Sequence, residues 1–424
     1  MQKKHILFVS YDGMTDSLGQ SQVLPYIREI SKKDYRYTLI SFEKEARYQQ
    51  HHTTIEKICA AAEIEWIPIS YAGSIPIIST IWNVYRLKKA VFKLHKRRPI
   101  DLFHSRSHVP SLAAHSLFLK KNVPFLFDMR GFWADERVDG KVWDLANSVF
   151  KKVYTFFKRK EIEFLIDAGA VISLTENGKE EILSWQHKQT TPQALREKQL
   201  DISVIPCCVD TELFNPEKVT IDQQTQLRTS LHIQADQFVL GYVGSIGTWY
   251  MLPEMLDFFQ VLEKSNPTAL FLFISNEGDK VKELAAQKGI SEDKIRVVSC
   301  LHSQVASYIS LFTASIYFII PAYSKKASSP TKQAELMSMG IPVICNAGVG
   351  DSDLIVQKHN AGWVVDNFTE ANYQLVVDAI EKSDFTEFSE ISQSCKEIFA
   401  LEKGAAIFET SYRQILQKNE SKSI

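Results

Sequence analysis

The stretch Ala327–Cys345 (ASSPTKQAELMSMGIPVIC) gathers residues able to bind an anion at the start of one helix. Ser329 is a capping type, Pro330 suits the first helical position, Gly340 ends the helix, and Ile341–Cys345 resumes as a strand. Helix N-termini present unpaired N–H groups and a partial positive charge. Lys332, one turn in, adds a full charge where a phosphate would sit. Glu335 lies three residues further on nearly the same face, where a carboxylate can accept from ribose or sugar hydroxyls. The plainer alternative is a capped helix carrying a solvated Lys and Glu. Ser328, Ser329 and Thr331 complete the polar group at this end.

A glycine turn, Gly241-Tyr-Val-Gly-Ser-Ile-Gly247, ends a strand and precedes a helix, which would let backbone at Gly247 approach a diphosphate. Its spacing is not G-x-G-x-x-G, and no acidic residue ends the next strand Phe271–Ser275, which argues against a nicotinamide dinucleotide. Near the N-terminus, residues 10–22 (SYDGMTDSLGQSQ) read as a strand, a long loop containing Gly13, then a helix. There Asp12 and Asp16 can accept from hydroxyls, the alternative being an ordinary βα loop. His104-Ser-Arg-Ser-His108 and Asp128-Met-Arg-Gly-Phe-Trp-Ala-Asp-Glu136 follow two further strands, so Asp12, His104, Arg106, Asp128 and Arg130 converge on one sheet edge, as a site or as a structural network. Asp351-Ser-Asp353 is expected to cap a helix, and no Asp/His cluster suggests a metal.

The elements that must position these residues alternate. Strands are predicted at Ile6–Ser10, Thr38–Phe42, Glu65–Ile69, Leu102–His104, Phe125–Asp128, Ala170–Ser173 and Ser203–Ile205. They are separated by helices near Gln20–Ser31, Thr53–Ala62, Ser79–Lys96, Ser111–Leu119, Lys141–Ile166 and Glu176–Trp185. The pattern restarts with strands at Phe238–Val243, Ala269–Ser275, Ile295–Ser299, Ser315–Ile320, Ile341–Cys345 and Trp363–Val365. Two doubly wound α/β units in tandem are therefore expected, with crevices facing one another. The boundaries are 1–206, 207–398 and a helix within 399–424, the junction lying in Pro206–Glu217; His187–Gln199 reads as a loose loop.

At 424 residues the chain exceeds one ordinary core. With 49 basic and 50 acidic residues, it has no global charge to recruit nucleic acid. The six cysteines form no C-x-x-C pair and no zinc spacing, as expected of reduced thiols in a cytoplasmic protein. No window approaches the ~18 apolar residues of a membrane span. Basic residues concentrate in Arg86–Arg98 and in Lys151–Lys160, the latter interleaved with Val153, Tyr154, Phe156 and Phe157. Such helices are either solvated faces or peripheral contacts with anionic membrane, here its cytoplasmic face.

Taken together, these blocks resemble glycosyltransferase family 4 enzymes of the GT-B type. The likeness rests on the N-terminal glycine loop, the junction Val204-Ile-Pro-Cys-Cys-Val-Asp-Thr-Glu-Leu-Phe-Asn-Pro216, the Gly241–Gly247 turn and the Ser328–Cys345 block. The resemblance implies a GT-B fold, with a C-terminal domain holding a nucleotide sugar (UDP or GDP) and an N-terminal domain holding a saccharide or lipid-linked saccharide acceptor. It also implies hexosyl transfer without metal or other cofactor, with retention of configuration, in surface polysaccharide assembly. Glu335 matches the second glutamate of the family's E-x7-E, partner of the ribose, and Phe399–Leu416 its crossover helix. Asp12, Asp128 and Arg130 would act on the transferred sugar or acceptor; Gly13, His104 and Arg106 would bind acceptor. Ala327 replaces the first glutamate, Ser245 and Thr248 stand where Arg and Lys are common, and Arg130 stands where many members carry His. Two rival readings remain, a GT-B-shaped sugar-nucleotide epimerase and a non-catalytic nucleotide-binding partner subunit.

Overall fold

A computed structural model describes residues 3–33, 35–73 and 75–421. The chain divides into two compact units: residues 1–206 together with 401–424, and residues 207–400.

The first unit is built on seven parallel strands. They are β1 (Lys4–Ser10), β2 (Tyr35–Glu43), β3 (Ile64–Ser70), β4 (Leu102–Arg106), β5 (Phe125–Asp128), β6 (Ala170–Ser173) and β7 (Ile202–Val204), in the order β3-β2-β1-β4-β5-β6-β7. Strands β1, β4 and β5 are buried almost throughout, as helices on both faces require of a parallel sheet. The second unit repeats the plan with six: β8 (Val239–Val243), β9 (Leu270–Ile274), β10 (Ile295–Val298), β11 (Ala314–Tyr317), β12 (Val343–Asn346) and β13 (Gly362–Val365), ordered β10-β9-β8-β11-β12-β13. Every described pairing is parallel within both sheets. The order reverses between β1 and β4 and between β8 and β11. A ligand crevice opens at such a switch point, beyond the strands' C-terminal ends.

The helix Leu401–Ser421 returns to the first unit. It lies along Leu24–Ser31, with Tyr26 and Phe408 edge to face at 5.6 Å, and buries Tyr412 against β4. It is separated from Ile391–Phe399 by Ala400 in extended conformation, so the expected helix Phe399–Leu416 begins later and runs longer.

Other expectations are corrected. Gln20–Ser31 is two helices, Ser17–Gln22 and Leu24–Ser31, broken at Val23, with Pro25 in the first turn of the second, where its missing N–H is tolerated. Lys141–Ile166 is not continuous either: the chain forms Trp133–Asp139, loops, and restarts at Ser148, where Asn147 caps through the N–H groups of Val149 and Phe150. His187–Gln199 is not loose. It contains the short helix Gln193–Arg196 with Leu195 buried, Gln186 donates to the carbonyls of Leu195 and Lys198, and Lys198 Nζ donates to those of Ile166 and Ala168.

Candidate functional site

In the second unit the helix Thr331–Ser338 begins one residue later than expected, and Pro330 takes the cap position. Ser329 does not cap. Its hydroxyl accepts the Cys207 N–H at 3.0 Å, tying it to the chain that enters this unit and leaving its own O–H as a donor. Ser328 is extended and its N–H donates to the Lys325 carbonyl, while Thr331 is half-buried in the first turn. Gly340 ends the helix with φ 71°.

Lys332 is not solvated. Its side chain is 4% exposed, and its ammonium points inward, 3.5 Å from the ring centre of Tyr250 and 4.0 Å from that of Tyr242. Among the described residues, Nζ has no hydrogen-bond partner. Burial pulls its pKa well below the usual lysine range, and Glu335 only partly opposes this. Burial likewise pushes the half-buried Glu335 carboxyl up to about 7 against the pull of Lys332.

The turn after β8 roofs this ammonium. Gly244 has φ 115°, and a Cβ there would sit 3.3 Å from Lys332 Nζ. The turn is pinned from three sides: Tyr242 Oη donates to the Ser245 carbonyl at 2.6 Å, the Ile246 N–H donates to Glu277, and Lys280 Nζ donates to the Ile246 carbonyl at 2.8 Å. Gly247 stands clear, with nothing within 4 Å of where a side chain would begin. Gly241, by contrast, lies inside β8 with the Phe312 ring against it, which makes it a packing glycine. Beyond the turn, the Met251 N–H donates to Phe318 and the Ile320 N–H to Trp249, joining it to the end of β11. The structure thus unites Gly244–Gly247, Lys332 and Glu335 at the β8/β11 switch point, where buried polar groups and a roofing backbone suit a phosphorylated ligand.

In the first unit, Ser10, Arg106 and Asp128 lie side by side across β1, β4 and β5. Arg106, 5% exposed, donates to Asp12 Oδ2 at 2.9 Å. Asp128 is buried, and its Oδ1 has no hydrogen-bond partner among the described residues. Burial alone would raise its pKa, yet Arg130, His104 and Arg106 hold it below the usual carboxylate range. Arg130 takes a left-handed conformation, φ 56°, just past the strand.

Two of the expected acceptor ligands face the interior instead. His104 is fully buried among Phe8, Phe408 and Tyr412. Its Nδ1 lies 2.5 Å from Tyr412 Oη and its Nε2 lies 3.4 Å from Asp128 Oδ2. Burial lowers its pKa, so the neutral imidazole positions Asp128 from behind. Gly13 is buried, and a Cβ there would lie 2.7 Å from Glu43 Oε2 and 2.8 Å from the Phe42 carbonyl, which leaves room for glycine alone. Asp16 turns to Lys44, 2.8 Å away. Asp351 makes no side-chain capping bond, and Asp353 accepts the Gly348 N–H at 3.1 Å instead.

Sequence reasoning missed Glu43 and Glu277. Glu43, the last residue of β2, accepts the N–H groups of Met14 and Thr15 and the hydroxyls of Thr15 and Ser41, which fixes the loop carrying Asp12. Both stand at or just beyond a strand's C-terminal end, the signal that could have found them. Tyr242 and Tyr250, whose rings meet the Lys332 ammonium, were missed as well. Among the described residues, no three His, Cys, Asp or Glu side chains are placed to hold a metal, and no helix is long and apolar enough to cross a membrane.

Residues 223–397 match the family described as glycosyl transferases group 1. That span contains the whole Gly244–Lys332–Glu335 arrangement. A glycosyltransferase from Rickettsia africae ESF-5 is 16% identical, with a TM-score of 0.69 over 98% of this chain and 99% of that one. Sucrose-phosphate synthase from Thermosynechococcus elongatus is 15% identical, with a TM-score of 0.70 over 98% and 100%. Anabaena Alr3699/HepE, solved with UDP and glucose, is 13% identical, with a TM-score of 0.66 over 96% and 99%. The fold is therefore GT-B. No curated protein sequence matches significantly.

Proposed function

We propose that the protein is a glycosyltransferase that moves a hexose-type sugar from a nucleoside diphosphate sugar to a saccharide or lipid-linked saccharide. The observation that carries this reading is the buried Lys332 ammonium, which lacks a hydrogen-bond partner among the described residues and lies directly beneath the Gly244 turn. A buried cation that Glu335 only partly offsets and that no acceptor among the described residues bonds is costly, and a diphosphate laid across Gly244–Gly247 would supply the missing charge. Lys332 and the start of the Thr331 helix would stabilise the diphosphate as the glycosidic bond to the donor breaks. Glu335 would accept from the ribose. Asp12, Asp128, Arg106 and Arg130 would face acceptor or sugar, with His104 holding Asp128. Retention of configuration, transfer without a metal, surface polysaccharide assembly and peripheral contact with the cytoplasmic face of an anionic membrane belong to the same proposal and rest on the family likeness and the basic helices.

The test is thermal stabilisation by UDP, GDP, ADP and CMP, with and without EDTA, in wild type and Lys332→Ala. A ligand at ~100-fold excess over Kd contributes about 2.7 kcal/mol. Stabilisation by one nucleoside diphosphate, kept in EDTA and lost in the variant, is expected. No stabilisation by any nucleotide would refute the donor site. Turnover of the nucleotide sugar without acceptor, giving an epimer, would indicate an epimerase, and binding without transfer to any acceptor would indicate a silent partner subunit.

A further inference from the structure

A cleft of about 740 Å³ opens in the first unit among the helices Pro76–Arg97, His108–Lys121 and Ser148–Asp167. Its walls are apolar, with Leu112, Trp133, Trp143 and Phe157 at the inner end. Ile81 lines the cleft and belongs to an exposed face of the helix Pro76–Arg97 with Ile78, Trp82 and Tyr85, each more than half exposed and spaced as one helical face. Ordinary soluble surfaces rarely leave so many large apolar side chains together unless something covers them.

The polar lining is as telling. Lys88, Arg137, Lys152 and Lys160 line the cleft, and no Asp or Glu does. Lys160 is neutralised by Glu163, and Arg137 lies over the Trp133 ring. Lys88 is half-buried, with Lys160 and Lys120 as its charged neighbours. An apolar interior whose Lys and Arg lining is matched by no Asp or Glu in the lining complements an amphiphile with an anionic head. The inner end also meets the strand-end cluster. Tyr11 lines the cleft and immediately precedes Asp12, while Trp133 follows Arg130 by three residues.

We propose that this cleft seats the hydrocarbon chain of a phosphate-bearing lipid, the anchor of a lipid-linked acceptor saccharide. The chain lies against Leu112, Trp133, Trp143 and Ile81, the cationic lining draws the phosphate, and the attached sugar is delivered past Tyr11 toward Asp12 and Asp128. This rests on the glycosyltransferase reading and specifies its acceptor. The cleft volume lies within the 300–1,000 Å³ typical of small-molecule pockets.

Trp133 and Trp143 provide the readout. A brominated dodecyl phosphate, kept below its micelle concentration, is expected to quench tryptophan fluorescence saturably. The decyl homologue is expected to bind roughly 15-fold more weakly, because each buried methylene tightens binding about fourfold. Ile81→Glu, at a position 66% exposed, is expected to weaken binding at least tenfold without lowering Tm. Brominated dodecanol should bind more weakly than the phosphate, and inorganic phosphate should not compete. The proposal is overturned by the absence of saturable quenching, by indifference to chain length or to Ile81→Glu, or by a response confined to phosphatidylglycerol vesicles, which would make the face a bilayer contact only. Nucleotide stabilisation is measured separately in the other unit. Failure here with that stabilisation intact refutes the lipid seat and leaves the nucleotide-sugar reading standing.

Discussion

Lys332 Nζ stands 3.5 Å from the centre of the Tyr250 ring, so the cation at the centre of the second unit's site is held by aromatic faces and by no hydrogen bond among the described residues. Cation–π attraction offsets part of the burial cost, about 2 kcal/mol when desolvated, and leaves the rest to a ligand. Lys332→Met keeps the length and removes the charge. Its Tm is expected to match or exceed wild type, while nucleoside diphosphate affinity falls by 10-fold or more in calorimetric titration. Lowered stability with unchanged affinity would show a structural lysine instead.

Glu335 gives the site a pH signature. Its carboxyl titrates at about 7 in the folded chain, against an ordinary glutamate value of 4.5. Between those values the folded state holds a proton that the unfolded state has released, so stability falls as pH rises through the window. Lys332, shifted down by burial, contributes the opposite slope at higher pH. Glu335→Gln should therefore flatten the decline in Tm between about pH 5 and 7 relative to wild type. An unaltered profile would exclude Glu335 as its source.

The roof of the site depends on backbone only glycine adopts readily. Gly244→Ala meets both an unfavourable φ of 115° and the Lys332 ammonium 3.3 Å from its Cβ. It is expected to destabilise by about 1–3 kcal/mol in urea unfolding and to weaken nucleotide binding. Gly247→Ala, which meets nothing within 4 Å, should leave stability within about 0.5 kcal/mol and alter only affinity.

In the first unit, Asp128→Asn removes the charge that faces Arg106 and Arg130 while keeping its shape. Transfer should slow by about 100-fold or more at saturating donor, with nucleotide stabilisation unchanged because the proposed nucleotide site lies in the other unit. Equal losses in donor binding and turnover would contradict this division. Tyr412→Phe, which removes only the hydroxyl behind His104, should show a smaller loss of turnover together with a shifted pH profile.

The alternation of apolar runs and amphipathic segments made both sheets legible, because parallel strands covered on two faces must be continuous in apolar character. Glycine turns and the Ser328–Cys345 block marked the strand ends that meet at each switch point. Side-chain direction was not legible. His104 read as a ligand because it shares a strand end with Arg106, yet β4 is buried on both faces and that side chain enters the core under Tyr412, which lies 308 residues further along the chain. Lys332 was left open between a phosphate ligand and a solvated side chain, because helix periodicity does not reveal that Tyr242 and Tyr250 lie against it. Glu43 and Glu277 were overlooked because their partners are backbone N–H groups of another loop, which leave no trace in residue spacing.

The return of Leu401–Ser421 to the first unit governs the order in which the protein can be completed during synthesis. Residues 207–400 emerge from the ribosome as one uninterrupted stretch and have every strand of their sheet at hand. The first unit, although translated earlier, leaves the pocket around Phe8 and His104 uncovered until Phe408 and Tyr412 arrive some two hundred residues later. Asp128 then gains its backing only after the second unit has been translated, so a nascent chain that stalls before residue 401 would hold the whole Gly244–Lys332–Glu335 arrangement while the first unit still lacks the support behind Asp128.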